Sequence, residues 1–472
     1  MSRSDRQTKI VATLGPASRD KKVIRELTQA GVNMFRLNFS HGKHDDHRKT
    51  LDAIRAVEKE LGFPIAIMAD LQGPKLRIGE FKEGFIQLKE GQSFRFDLDK
   101  KPGDQKRVCL PHPEVLKILK KGDDILLDDG KVRVRVTKKG DDYLDVKVME
   151  GLYLSDHKGF NLPDIIVPVP ALTAKDKKDL KAALDMGVDW IAQSFVQKPE
   201  DVIEAKKLIK GRAALLVKLE KPQAISCLAA LIELADGFML ARGDLGVEIP
   251  PENVPSVQKH VVRMVRASGK PVIVATQMME SMIKNARPTR AEASDVATAV
   301  YDGADAVMLS AETAVGDYPI KAVEIMARIC ECTESDETYH QLMEADRPDP
   351  IGRASDSITM AAYYVAQDID ARAIVTYTMS GSTALRAARQ RPEVPILCLT
   401  PSIDTARRLA VSYGVNPVVA TEDIKDFASA VRYATKLSLK HGFAEKGDKL
   451  VMTAGVPFGT PGSTNILRII DV

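Results

Sequence analysis

The sequence has few of the features that mark secreted, metal-stapled or membrane-spanning proteins. Its five cysteines are scattered and odd in number, and none stands at a zinc-ligand spacing, which is typical of a chain in a reducing compartment. The N-terminal stretch MSRSDRQTKIVATLG lacks the apolar core of a signal peptide, and no uncharged apolar run is long enough to span a bilayer. We therefore expect a cytoplasmic protein with no membrane partner.

An excess of charge of one sign is also missing. The 472 residues include 68 basic and 65 acidic side chains, for a net charge of +3, so no global field favours nucleic acid or an anionic membrane as a partner. Any anionic ligand must be held by local charge. Hydrophobic residues make up 44% of the chain, which is ordinary for a globular protein, and the length predicts roughly two to four domains.

Short apolar runs, each ending in a polar cluster, recur along the chain with amphipathic helical stretches between most of them. The eight runs occupy residues 9–18, 33–42, 65–75, 190–195, 215–220, 237–246, 271–281 and 306–313. Eight strand–helix units in series predict a (β/α)₈ TIM barrel, whose strands are apolar throughout because both of their faces are buried.

The spacing of these units breaks once, after the third run. There the chain alternates apolar and polar side chains, with DDGK and KKGDD as turn signals. We therefore predict that residues 74–167 form an all-β lid domain inserted into a barrel made of residues 1–73 and 168–336. Residues 337–472 begin with a polar break and continue as a helix and four apolar strands separated by helices, which predicts a small α/β domain.

Polar side chains follow the predicted barrel strands, and the carboxyl ends of these strands meet on the face where such barrels have their active sites. Glu220 and Asp244 suit a hard divalent cation, Mg²⁺ or Mn²⁺, while Arg36 and Lys218 suit an anion such as phosphate. Each residue alone could be a satisfied loop residue or a surface ion pair. Because unpaired charge near a core costs several kcal/mol, their convergence favours a binding site. The remaining members of the set are Asn38, Ser40, Asp70, Thr276 and Ser310.

Two glycine-containing stretches add possible anion sites. In ARGDLGVE (241–248) the glycines allow peptide N–H groups to approach a carboxylate or a phosphate. An RGD adhesion motif is the alternative, which a position directly after a buried strand disfavours. SGST (380–383) follows the strand IVTYT and opens a helix, so its hydroxyls and N–H groups could bind an anion, although Ser and Thr also simply cap helices.

Several long blocks resemble the pyruvate kinase family, and the resemblance covers essentially the whole chain. They include VKLEKPQAI, GFMLARGDLGVEIP, VIVATQMMESM, RPTRAEASDVATAV and VMLSAETAVGDYP. The resemblance implies phosphoryl transfer from phosphoenolpyruvate to ADP, giving ATP and pyruvate. It also implies a homotetramer with a phosphorylated allosteric effector.

The resemblance further implies roles for the barrel residues. Glu220 and Asp244 would hold the divalent metal, and Lys218 would neutralise charge on the transferring phosphoryl group. Thr276, Gly243 and Asp244 would cradle the substrate carboxylate, and Thr276 with Ser310 would order the relay that protonates the enolate.

The resemblance also implies that residues of the lid and of the second barrel strand bind the nucleotide phosphates. The residues implied by the resemblance are Arg36, Asn38, His41, Arg77 and Lys158. Asp46 stands where animal members have an aromatic residue, so the contacts to the base remain open.

Many members of the family hold a potassium ion, and its ligands correspond here to Asn38, Ser40, Asp70 and the carbonyl group of the next residue. Leu71 and Lys75 stand where potassium-dependent members have threonine and glutamate. The chain therefore resembles the potassium-independent branch. We expect the Lys75 ammonium group to replace the ion, so that potassium is not required.

In the C-terminal domain the resemblance places a phosphate cradle at Thr378, Ser380, Gly381, Ser382 and Thr383, with an effector loop at 459–469. A sugar monophosphate or AMP is favoured over a bisphosphate because this end offers only Arg468 as a further cation. Two other functions stay open. One is a barrel lyase or mutase that stabilises a metal-bound enolate, and the other is an inactive metabolite sensor.

Overall fold

The structure is a computed structural model, which describes residues 6–163, 165–350, 352–420, 422, 424, 426–456 and 464–472. Its first segment comprises β1 (Lys9–Leu14), α1 (Lys21–Gln29), β2 (Met34–Asn38), α2 (His44–Leu61) and β3 (Ala66–Asp70). The three strands pair in parallel. They are apolar along most of their length because both faces are packed.

The lid follows β3. It comprises β4 (Phe85–Gln87), β5 (Ser93–Asp97), β6 (Arg107–Cys109), α3 (Pro113–Ile118), β7 (Asp124–Leu127), β8 (Val132–Lys139), β9 (Tyr143–Glu150), β10 (Tyr153–Ser155) and β11 (Phe160–Asn161). These strands form a two-stranded and a six-stranded sheet, with alternate side chains in a core separate from that of the barrel. At the start of the lid, Gly73 N–H donates to Asp176 Oδ1 at 3.0 Å.

The chain then completes the barrel. The elements are α4 (Ala174–Met186), β12 (Trp190–Gln193), α5 (Pro199–Ile209), β13 (Ala214–Leu219), α6 (Pro222–Ser226), α7 (Leu228–Leu234), β14 (Gly237–Ala241), α8 (Arg242–Glu248), α9 (Val254–Ala267), β15 (Val272–Ala275), α10 (Arg290–Tyr301), β16 (Ala306–Leu309), α11 (Ala311–Ala314) and α12 (Pro319–Glu334). Strand order β1-β16-β15-β14-β13-β12-β3-β2 closes the barrel. The predicted eight-stranded barrel is confirmed.

The C-terminal residues form α13 (Glu337–Ala345), α14 (Ala354–Asp368), β17 (Ala373–Tyr377), α15 (Ser382–Arg389), β18 (Ile396–Thr400), α16 (Ile403–Leu409), β19 (Val415–Val419), α17 (Phe427–Lys440), β20 (Lys449–Gly455) and β21 (Thr464–Asp471). The predicted α/β fold is confirmed, but β21 was not predicted. It is an antiparallel edge strand. Residues 464–469 therefore lie in a strand and not in the expected effector loop, of which 459–463 fall outside the described residues.

The C-terminal domain packs against the N-terminal ends of the barrel strands. Ala410 and Val411 join the cluster of apolar side chains inside the barrel, and Trp190 Nε1 donates to the carbonyl oxygen of Arg408 at 3.3 Å. The lid therefore covers the opposite end, where the strands terminate. Within the described part of the chain, no helix has the length and apolarity needed to cross a membrane.

Candidate active site

Lys218, near the end of β13, is the centre of a buried group of charges. Its Nζ lies 2.6 Å from Glu220 Oε1 and 3.3 Å from Asp70 Oδ1, and it donates to Ser194 Oγ at 2.8 Å. Burial would lower the pKa of Lys218, but the carboxylates of Asp70, Glu220 and Asp244 outweigh it and raise the pKa above its usual value. The ammonium group is therefore charged although it is almost inaccessible to solvent.

Asp70, the last residue of β3, pairs with two cations. Arg36 Nε lies 2.6 Å from Asp70 Oδ2, and Lys218 approaches the other oxygen. Burial opposes ionisation, yet Lys218 and Arg36 together hold the pKa of Asp70 below its usual value. Arg36 Nη1 also donates to Thr13 Oγ1 at 3.1 Å, which fixes the direction of the guanidinium group.

Glu220 and Asp244 are the two carboxylates that the sequence predicts as ligands of a divalent cation. Burial raises the pKa of Glu220, Lys218 opposes this, and the neighbouring charge of Asp244 raises it again. A hard cation would relieve the repulsion between the two carboxylates, so the donor set fits such an ion. Among the described residues no group of three His, Cys, Asp or Glu side chains has metal-binding geometry. Water or substrate oxygens would therefore have to complete the coordination.

Most of the predicted site residues line one cavity of about 480 Å³ between the barrel and the lid. The structure thus brings together residues that the sequence assigned to phosphate, nucleotide and cation binding. They are Arg36, Asn38, Ser40, His41, Asp70, Lys75, Arg77, Lys158, Lys218, Glu220 and Asp244.

Lys75 is the cation whose role the sequence left most in question. It lines the same cavity as Asn38, Ser40 and Asp70. Within the part of the chain that the structure describes, its ammonium group forms no hydrogen bond or ion pair. Burial and the nearby Arg77 lower the pKa of Lys75, and Asp244 opposes them. The side chain is exposed at the mouth of the cavity.

Arg77 and Lys158 lie beside each other at the base of the lid. Arg77 forms an antiparallel bridge with Gly159, and its Nη1 donates to the His157 carbonyl oxygen at 3.1 Å. Lys158 Nζ pairs with Asp128 Oδ1 at 2.8 Å. The two cations therefore face the cavity from the lid.

Gly243, Thr276 and Ser310 are not among the residues that line this cavity. Gly243 and Thr276 are in contact, since a Cβ atom built on Gly243 would lie 2.5 Å from Thr276 Cγ2. Thr276 has a φ of +76°, a strained value for a β-branched residue, and its carbonyl oxygen accepts from Arg242 Nη2 at 2.9 Å. Ser310 N–H donates to Glu312 Oε2 at 2.7 Å. Thr276 and Ser310 follow β15 and β16, which are neighbours.

Ser194 and Phe195 belong to the site, although the sequence analysis gave them no role. Ser194 Oγ accepts from Lys218 and donates to the Leu71 carbonyl oxygen at 2.8 Å. Phe195 N–H donates to Glu220 Oε2 at 2.7 Å. The sequence signal for them is the polar end of the run WIAQSF. Ser194 follows its strand just as the other predicted site residues follow theirs.

Two family models match the chain and show its family. Residues 5–323 match the model described as "Pyruvate kinase, barrel domain", and residues 356–470 match "Pyruvate kinase, alpha/beta domain". The chain belongs to the pyruvate kinase family. It is therefore a phosphotransferase of the pyruvate kinase type.

Individual members of the pyruvate kinase family are similar over nearly the whole chain. A pyruvate kinase of Methylorubrum extorquens is 51% identical over 99% of this chain and 98% of its own length. One from Staphylococcus aureus is 40% identical over 98% of this chain and 80% of its own length. The crystal structure of a pyruvate kinase from Cryptosporidium parvum superposes with a TM-score of 0.92 at 34% identity, covering 99% of this chain and 96% of that one.

In the α/β domain, the predicted effector residues span the turn after β17 and the first two residues of α15. Thr378 Oγ1 accepts from Gly381 N–H at 3.0 Å, and Ser380 Oγ donates to Ser382 Oγ at 3.3 Å. Gly381 has a φ of +90°, which glycine adopts without strain. Thr383 is buried and hydrogen-bonded to a hydroxyl group of β21. Two hydroxyl groups, those of Ser380 and Ser382, therefore remain available at the surface of this turn.

Proposed function

We propose that this enzyme transfers the phosphoryl group of phosphoenolpyruvate to ADP, giving ATP and pyruvate, the last step of glycolysis. The observation that carries the proposal is the buried, charged Lys218 between Asp70 and Glu220 at a cavity that also holds cations from the barrel and the lid. Phosphoryl transfer depends mainly on positioned charge of this kind.

Arg36 and Lys218 would bind the oxygens of the transferring group. In the structure both are held by Asp70, so their directions are set before substrate arrives, which lowers the cost of reorganisation. The backbone N–H groups of Gly243 and Asp244 would bind the substrate carboxylate beside Thr276.

Glu220 and Asp244 would hold Mg²⁺ or Mn²⁺. Such an ion neutralises charge on the enolate and phosphoryl oxygens when it is bound. Chelation with EDTA should abolish activity, and added Mg²⁺ or Mn²⁺ should restore it.

Protonation of the enolate would involve Thr276 and Ser310. Neither hydroxyl group has the acidity of an ultimate donor at neutral pH, so both would order a proton relay. Their placement after neighbouring strands supports a shared role.

The nucleotide phosphates would lie between the barrel residues Arg36, Asn38 and His41 and the lid residues Arg77 and Lys158. The ion pair of Lys158 with Asp128 would then be exchanged for a phosphate when the nucleotide binds. Closure excludes water from the reactive phosphoryl group.

An assay coupled to lactate dehydrogenase, with ADP, phosphoenolpyruvate and Mg²⁺, tests the reaction. Pyruvate formation that depends on ADP supports the proposal. Pyruvate formation that does not need ADP would contradict the proposal, because the phosphoryl group would then pass to water. The absence of turnover would leave the lyase or mutase and the inactive sensor as the alternatives.

Lys75 would replace a monovalent cation, so we propose that potassium is not needed. The support is its unpaired ammonium group at a cavity shared with Asn38, Ser40 and Asp70. With potassium- and sodium-free buffers, KCl should change the rate little, and Lys75→Glu should acquire a potassium requirement. If KCl raised the rate of the wild-type enzyme more than about tenfold, the proposal would be wrong. Such an increase would mean that potassium lowers the activation free energy by more than ~1.4 kcal/mol.

A phosphorylated activator, such as a sugar monophosphate or AMP, would bind at Ser380 and Ser382. Ser380 and Ser382 line a cavity of about 450 Å³ between the α/β domain and the barrel, together with Arg386, Arg408 and Trp190. The expectation that this end offers only Arg468 as a further cation is therefore wrong, and charge alone does not disfavour a bisphosphate. Arg386 Nη1 and Arg408 Nε are buried without a hydrogen-bond acceptor, which supports an anionic ligand. Thermal-shift titrations with sugar phosphates and AMP should raise the melting temperature, and Ser382→Ala should reduce the rise.

We also propose a homotetramer working in the cytoplasm. The edge strand β21 leaves Ile469 45% exposed, as an interface strand would. The five cysteines are all free thiols, which agrees with a reducing compartment.

A further inference from the structure

A buried group of polar side chains joins the lid to the barrel in the wall of the active-site cavity. Glu248 Oε1, at the end of α8, lies 2.6 Å from Lys221 Nζ and accepts from Asn161 Nδ2 at 2.7 Å. The Lys221 and Glu248 side chains are only 4% and 2% exposed. Asn161 belongs to the lid strand β11, so one carboxylate oxygen connects the two domains.

Stability alone does not account for this arrangement. A buried ion pair is on average no more stabilising than well-packed apolar side chains, because both charges must be desolvated. Here the second oxygen of Glu248 is also buried without a hydrogen bond, which adds to the cost. A group with this energetic penalty is expected where it serves the function of the site.

The same residues are attached to the two carboxylates assigned to the divalent cation. Lys221 directly follows Glu220 in the chain, and Glu248 ends the short helix that carries Asp244. Any displacement of the Lys221–Glu248 pair therefore moves the segments that hold both metal-binding side chains.

Phe195 supplies a second connection. The Lys221 ammonium group lies 4.6 Å from the centre of the Phe195 ring, a favourable cation–π distance, and Phe195 N–H donates to Glu220 Oε2. Its φ of +61° is unusual for a residue other than glycine. The ring also packs against the lid core. Contacts thus run without a break from the lid to Glu220.

We propose that Asn161, Glu248 and Lys221 form a latch that couples lid closure to the alignment of Glu220 and Asp244. Lys221 and Glu248 act as positioning residues, since they hold other groups in place. The inference rests on the proposed function in that Glu220 and Asp244 bind the divalent cation. By linkage, a closed lid strengthens cation binding, and a bound cation favours the closed lid to the same degree.

The latch is tested with Asn161→Ala, which removes only the lid's hydrogen bond and leaves the Lys221–Glu248 pair intact. The matched control is Gln92→Ala, because the Gln92 amide donates to a backbone carbonyl oxygen within the lid at 2.8 Å. Mn²⁺ affinity of the substrate-free protein is measured with MnCl₂ alone by electron paramagnetic resonance. Hydrogen–deuterium exchange of the lid is measured with and without MnCl₂.

Asn161→Ala should weaken Mn²⁺ binding about fivefold or more and raise exchange in the lid, and Mn²⁺ should no longer protect the lid. Gln92→Ala should leave the Mn²⁺ affinity and the protection of the lid by Mn²⁺ unchanged. Unaltered Mn²⁺ affinity in Asn161→Ala, with faster exchange, would overturn the coupling. Glu248→Gln removes the charge but keeps the shape, and it should lower Mn²⁺ affinity more than Asn161→Ala does. Glu248→Asp keeps the charge, so its Mn²⁺ affinity should lie between those of Glu248→Gln and the wild type.

These measurements do not depend on catalysis. A failure of the proposed reaction would appear as the absence of ADP-dependent pyruvate formation by the wild-type enzyme. A failure of the latch would appear as normal Mn²⁺ affinity in Asn161→Ala while that activity is present in the wild type.

Discussion

Lys218 and Glu220 form a buried ion pair at the end of one barrel strand, with 2.6 Å between Nζ and Oε1 and each side chain 10% exposed. Residues two apart on a strand lie on the same face, so the K-x-E spacing brings cation and acid together without any distant contact. The pair places the charge that we propose to bind phosphate beside the carboxylate that we propose to bind the metal ion.

Lys218→Met should lower kcat by about 10²–10³-fold, because it removes a preorganised charge at the transferring group. The control is Lys22→Met, since Lys22 lies on helix α1, is 80% exposed and pairs with Glu26, whose side chain is itself 37% exposed. Steady-state kinetics with the coupled assay would measure both, after circular dichroism has shown that the variants fold. A kcat of Lys218→Met within threefold of the wild-type value would show that Lys218 does not take part in the chemical step.

Gly243→Ala should impair substrate binding, because the new methyl group would lie 2.5 Å from Thr276 Cγ2 and one of the two must move. We expect KM for phosphoenolpyruvate to rise at least tenfold, about 1.4 kcal/mol. Gly246→Ala lies on the same helix, and its Cβ would meet Val254 Cγ2 at an ordinary 3.6 Å, so it serves as the control. Equal KM values in the two variants would show that contact with Thr276 is unimportant.

Asp189 should make stability depend on pH. Burial raises its pKa to about 6 from 3.8, although Arg55 opposes the rise through an ion pair of 2.7 Å. Because the folded pKa is the higher one, the folded protein holds the proton more tightly. The stabilising contribution is then complete below about pH 4 and is lost as the pH rises through 6.

Asp189→Asn should remove this loss, which amounts to at most about 3 kcal/mol for the full shift. Denaturant unfolding at pH 4.5 and pH 7 would compare the two proteins. The free energy of unfolding of the wild type should fall more between these values than that of the variant. Parallel pH profiles would show that Asp189 ionises normally in the folded state.

Ile469→Asp should dissociate the proposed tetramer, because a charge on an edge strand opposes strand and apolar contacts between subunits. Light scattering after size-exclusion chromatography would give the mass. Leu208→Asp is the control, since Leu208 is similarly exposed, at 41%, but lies on a barrel helix. An unchanged mass for Ile469→Asp would exclude β21 from the interface.

Local patterns were sufficient for most of the fold. The eight barrel strands follow from runs of apolar residues, and the lid sheets from alternation with turn signals. β21 was missed because TNILRIID follows a glycine-rich stretch that was assigned to a loop, and its strand conformation depends on pairing with β20. The run WIAQSF marks Ser194 and Phe195 only by their position after a strand, because their roles depend on contacts with Lys218 and Glu220.

The sequence by itself determined which residue types stand at the ends of the strands, because the apolar runs mark where each strand stops. It also determined which of these residues share a face, since side chains alternate along a strand. It also determined the family, through long ordered blocks. Only the tertiary structure decided which cation pairs with which acid, as in the sharing of Asp70 by Arg36 and Lys218. It alone revealed that Asn161 of the lid meets Glu248 of the barrel. Such contacts join distant segments, and their geometry depends on how barrel and lid pack together.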